Sequence, residues 1–181
     1  MLRLAESFYI VLQAAHIRGE QNVLADILSR QQTVLNTEWR LGWPTFLWVS
    51  QMSPWGPETI DLLANEFFTQ LFRYMSPCPD SLSVSTDAVM SSWPSEVCYA
   101  FPPTTILGLV CIKLLQERPR TLLLVAPIAP AASWFPTLAR WATRVILIPL
   151  YLLSLHQPHC NHCHPSHALL FLDLFLIACP V

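Results

Sequence analysis

Two groups of residues in this chain have types and spacing that chemistry can use. Asp26 stands four residues after Asn22, a good helix N-cap, and four before Arg30, while Val23, Leu24, Ile27 and Leu28 recur at helical spacing. The carboxylate therefore sits early in a helix on its polar edge. Joined by other carboxylates it can hold a divalent cation; alone it favours the helix dipole. Residues 156–167 hold five histidines and two cysteines. Cys160 and Cys163 have the C-x2-C spacing of a zinc site, with His159 and His164 as further candidate ligands. No second ligand pair stands at a finger-like distance, so loose divalent-metal affinity competes with a built zinc centre.

The elements that must position these residues come from an unusual composition. Of 181 residues 53% are hydrophobic and only 12% charged, with a net charge of -2, so the chain is expected to be poorly soluble alone. The four glycines, at 19, 42, 56 and 108, permit neither GxxxxGK[ST] nor GxGxxG, which removes the strongest signatures of nucleotide hydrolysis and dinucleotide redox chemistry. Nine arginines and Lys113 are spread thinly, without the basic footprint of an autonomous nucleic-acid binder. The apolar runs Val145–Leu153 and Ala168–Cys179 fall short of the roughly 20 residues that span a bilayer. With no secretory leader to be placed, the expectation is an intracellular chain, cytoplasmic or nuclear, without a membrane span and with reduced thiols, Cys98 and Cys111 being core residues.

Residues 8–17 are rich in β-branched and aromatic types and read as a buried strand ending at Arg18-Gly19, before the Asn22 helix. Tryptophans and prolines crowd residues 36–57, a linker or a short helix with loops. From residue 58 the pattern predicts strands near 59–63, 97–101, 121–126 and 145–148, the second closed by Pro102-Pro103. Helical stripes join the last two pairs: Ile106, Leu107, Val110, Leu114 and Leu115, then Trp134, Phe135, Leu138 and Trp141. Such alternation implies parallel crossover units in a three-layer α/β fold.

The run Ala15-His16-Ile17-Arg18-Gly19-Glu20-Gln21-Asn22-Val23-Leu24-Ala25-Asp26-Ile27-Leu28-Ser29-Arg30 resembles the end of the ribonuclease H domain of retroelement reverse transcriptases. The resemblance implies that Asp26 matches the last of four acidic residues holding two magnesium ions for phosphodiester cleavage. Only Glu6 precedes this segment, so Asp26 is a remnant carboxylate that would bind Mg only with partners supplied from elsewhere.

Downstream, Trp55-Gly56-Pro57, Asp61-Leu62-Leu63-Ala64, Ser76-Pro77-Cys78-Pro79-Asp80, Phe101-Pro102-Pro103 and Leu124-Val125-Ala126-Pro127 follow an order that looks like the region after ribonuclease H in DIRS-type, tyrosine-recombinase retrotransposons. That region is similar to phage-type DNA adenine methyltransferases, with a D-x-x-A strand end and an [N/D]-P-P-Y strand end on a Rossmann-like sheet. The resemblance implies an S-adenosylmethionine pocket at Asp61, Phe101, Pro102 and Pro103. It is degenerate: Phe101 replaces the hydrogen-bond acceptor that methyl transfer to an exocyclic amine demands, Thr104 replaces the stacking ring, and no glycine follows Asp61.

The expected organisation is therefore an incomplete ribonuclease H-like strand-helix piece at 1–35, a linker at 36–57, a small Rossmann-like parallel sheet in a methyltransferase-like region at 58–150, and an irregular, apolar His/Cys-rich tail at 151–181. Function divides three ways. The chain is a truncated retroelement polypeptide without independent catalysis, meeting RNA–DNA hybrid or DNA only through the parent polyprotein; it is a remnant nucleic-acid-associated or S-adenosylmethionine-binding module; or it is a domesticated interaction module using exposed apolar surface. The first reading needs no cofactor, Mg belonging to an intact ribonuclease H and Zn to the tail. It predicts that the purified chain with magnesium or manganese does not cleave an RNA–DNA hybrid. Specific cleavage that vanishes in Asp26→Asn refutes it.

Overall fold

A computed structural model of the chain describes residues 39–157 and 171–178. The chain divides after Leu35, and every described residue belongs to the second unit, 36–181. In chain order the elements are β1 (Arg40–Leu41), α1 (Trp43–Gln51), β2 (Ile60–Asp61), β3 (Met75–Ser76), β4 (Ser85–Thr86), β5 (Val97–Ala100), a 3-10 turn at Thr104–Ile106, α2 (Leu107–Glu117), β6 (Thr121–Pro127), α3 (Phe135–Trp141), β7 (Ala142–Leu147), β8 (Leu155–His156) and β9 (Leu172–Ala178).

Five strands form a mixed sheet in the order β2-β5-β6-β9-β7. β2, β5 and β6 are parallel, and β9 runs antiparallel to both β6 and β7. β6 and β9 each bury six consecutive residues, as strands covered on both faces must. Alternation divides their side chains between two cores. Leu122, Leu124, Ala126, Phe175 and Ile177 face the side covered by Val110 and Leu114 of α2 and Leu138 of α3. Leu123, Val125, Leu172, Leu174 and Leu176 face the side covered by Phe46 and Val49 of α1 and by Leu41 and Leu155 from the β1–β8 ribbon.

Local chemistry sets the helix ends. Pro44 lies in the first turn of α1, where its missing N–H costs nothing. Thr45 ties that turn to a distant segment: its hydroxyl donates to Leu152 O at 2.5 Å and accepts from the Ser154 N–H at 3.1 Å. Gly42 passes so close to Ser154 that an added Cβ would stand 1.9 Å from its Oγ. α2 ends at Arg118 in the left-handed region, φ 47, followed by Pro119, which cannot extend the helix.

The four expected strands are present at 60–61, 97–100, 121–127 and 142–147, and the two expected helices lie between the last two pairs. The sheet is not wholly parallel, however. β7 runs in the same sense as β6 but is separated from it by β9, inserted antiparallel between them. Nor is the end of the chain an irregular tail: residues 172–178 form a central strand, because an almost unbroken apolar run can bury both faces where a polar one cannot. Residues 43–51, inside the expected linker segment, form a helix whose Phe46 and Val49 are core residues.

If β9 is structural rather than incidental, Phe175→Ala leaves a cavity between α3 and the sheet. It is expected to cost about 3–5 kcal/mol, read from the shift in urea denaturation midpoint. A change below about 1 kcal/mol would show that the strand contributes little.

Candidate functional site

Parallel strands all leave their sheet at one edge, and diverging connections there leave a crevice. After β2 the chain runs through Leu63 and Ala64 to Asn65, whose Oδ1 accepts the N–H groups of Phe67 at 3.0 Å and Phe68 at 3.2 Å and so turns the backbone away. After β5, Pro102 and Pro103 lack the N–H groups that a continuing ladder needs, and the chain peels off into the 3-10 turn. β6 ends at Pro127, opposite Leu172 at the start of β9. These three exits, with Trp39, Phe68, Pro77 and Leu155, enclose a mainly apolar cavity of about 280 Å³.

Beside it, sharing Trp39, Leu63, Ala64, Phe68 and Phe101, is a small chamber of about 20 Å³ that also meets Arg40, Asp61, Gln70 and Tyr99. Asp61, on β2, lies opposite Tyr99 of β5 in the parallel register, so both side chains leave the same face of the sheet. Asp61 is 2% exposed and Tyr99 1%. The Asp61 carboxylate accepts the Gln70 N–H at 3.1 Å and, more weakly, the Leu63 N–H at 3.5 Å. Burial pushes this carboxyl up to about 7, against the opposing pull of those two N–H groups and the Arg40 charge. The Tyr99 phenol is held well above its ordinary value, first by burial and then by the charges of Asp61 and Glu58. Gln70 Nε2 donates to Leu41 O at 2.6 Å, while Gln70 Oε1 and Tyr99 Oη are buried with no hydrogen-bond partner among the described residues.

Of the residues singled out from sequence, Phe101, Pro102 and Pro103 meet the D-x-x-A strand end at the larger cavity. Asp61 does not line that cavity and faces the chamber instead. Asp26, His159, Cys160, Cys163 and His164 lie outside the described residues. Among the described residues no group of three His, Cys, Asp or Glu side chains could hold a metal ion, and no helix is long and apolar enough to cross a membrane. Cys98 and Cys111 are buried free thiols, as expected of core residues.

Tyr99, Gln70 and Arg40 were not legible as site residues. Tyr99 reads as one more aromatic in a strand, and only the register with Asp61 gives its hydroxyl a role. Gln70 arrives through the folding back of residues 63–70, which no local periodicity announces. No protein-family model matches this chain, and no curated protein is similar to it.

The Asp61 environment makes stability depend on pH. The carboxyl holds its proton to about 7 in the folded chain, against an ordinary value of 3.8. Between these values the folded state binds a proton that the unfolded state has lost, so stability falls as pH rises through the window, and the loss is complete above it. Asp61→Asn is expected to remove this slope, raising the stability read from urea denaturation at pH 8 above wild type by on the order of 4 kcal/mol at most, with little gain at pH 4. Parallel pH profiles for the two proteins would refute the assignment.

Proposed function

We propose that the chain is a retroelement-derived polypeptide without independent nuclease or methyl-transfer activity. Its α/β unit is a methyltransferase-like remnant that keeps a ligand crevice and has lost the reacting groups. One observation carries the reading: Phe101-Pro102-Pro103 leaves β5 at the carboxyl edge of three parallel strands and walls the 280 Å³ cavity with an apolar ring. In an adenine methyltransferase this strand end must offer an oxygen to the exocyclic amine, and a phenyl ring offers none.

The cofactor side supports the same conclusion. A ribose-binding carboxylate must present free oxygens to the crevice, whereas both oxygens of Asp61 are turned to the N–H groups of Gln70 and Leu63. S-adenosylmethionine also carries an ammonium, a carboxylate and a sulfonium, which a mainly apolar wall leaves desolvated. The retroelement origin rests on the motif run around Asp26 and on the order of the downstream segments. In that setting RNA–DNA hybrid or DNA is met through the parent polyprotein, and Leu109, Ile112 and Leu115, exposed on one side of α2, offer apolar surface for association within it.

Calorimetry is expected to show no S-adenosylmethionine binding below millimolar concentration, and assays with radiolabelled methyl donor are expected to leave DNA unmodified. Phe101→Asn alone restores nothing, because Thr104 still lacks a stacking ring. Micromolar binding abolished by Asp61→Ala would overturn the reading.

A further inference from the structure

We propose that the crevice and the chamber beside it form one site for a small, uncharged aromatic carboxamide, its ring in the apolar cavity and its amide at Tyr99 and Gln70. The inference rests on the reading above that the crevice is a retained binding site, and it names a ligand class that the reading leaves open.

The argument starts from what the chamber lacks. A buried polar atom without a partner is a standing cost, and native interiors satisfy nearly all of them. Here two stand at one chamber: Tyr99 Oη, whose proton has no acceptor, and Gln70 Oε1, which has no donor because the same side chain already spends its Nε2 on Leu41 O. The complement is a group that accepts one hydrogen bond and donates another from adjacent atoms. A primary carboxamide does so rigidly: its oxygen accepts from Tyr99, and its nitrogen donates to Gln70 Oε1. A volume of about 20 Å³ is room for about one water, which the amide must displace to reach Tyr99 and Gln70.

Trp39, Leu63, Ala64, Phe68 and Phe101 border both spaces, so a ring attached to the amide would lie against aromatic and aliphatic walls in the larger one. Charge argues against an acid in the same place. A carboxylate brings no donor for Gln70 Oε1, and although Arg40 also borders the chamber, Asp61 already draws on its field.

Ligand-observed NMR on the full chain, with benzamide, methyl benzoate and benzoate as probes, tests the proposal. Benzamide is expected to bind in the millimolar range, at least tenfold more tightly than either of the others. Gln70→Met is expected to reduce benzamide to the level of methyl benzoate while methyl benzoate itself is unchanged, which also shows that the variant is folded. Tyr99→Phe is expected to weaken both neutral probes, since each offers an acceptor. Equal binding of benzamide and methyl benzoate to the wild type overturns the amide chamber and leaves the crevice standing. Tighter binding of benzoate overturns it in favour of Arg40 as the anchor. Binding of none of the three overturns the retained crevice as well.

Discussion

The seven-residue pairing of β6 with β9 is the constraint on which the described unit depends. Both strands are apolar on both faces, so neither can exist at a surface, and each requires a layer above and a layer below. That requirement explains why two separate cores occur in a unit of this size. α2 and α3 close one face, while α1 and the β1–β8 ribbon close the other. The tie of Gly42 and Thr45 to residues 152–154 adds to the packing of Leu41, Phe46, Val49 and Leu155 in holding α1 and the ribbon over the second face. Each fully buried Leu of the pair contributes roughly 1.5–3 kcal/mol, which outweighs any single surface interaction.

What could be read beforehand follows from how far each signal reaches along the chain. Prolines punctuate locally, so the ends of β5 and β6 at Pro102-Pro103 and Pro127 were visible, as were the stripes of α2 and α3. β9 was not. Its run carries Asp173, which looks like an interruption of an apolar tail, and nothing local announces that the strand will insert between two others. In the structure Asp173 is itself buried, its carboxyl pushed upward by the lost solvent, and the surrounding pairing holds it there. The site divides in the same way. Phe101-Pro102-Pro103 stood out in the sequence through its resemblance to an [N/D]-P-P-Y strand end, while the grouping of Asp61, Tyr99, Gln70 and Arg40 depends on strand register and on a loop closing over Leu41.

The chamber and the cores also pull in opposite directions. Tyr99→Phe would bury the same ring with no orphaned hydroxyl, and Asp61→Asn would leave no carboxyl to desolvate. Keeping polar groups at the carboxyl edge of the sheet therefore costs stability at neutral pH. The two cores dominated by β6 and β9 are what make that cost tolerable.

The insertion of β9 also orders events in time. β6, α3 and β7 leave the ribosome before residues 172–178, and a strand, a helix and a second strand of like sense are the components of a right-handed crossover unit. In that interval the edges of β6 and β7 that β9 will occupy have no partner in the chain already made. An unpaired, apolar strand edge is a template for pairing with another chain, so the late arrival of β9 leaves two such edges open until it is in place.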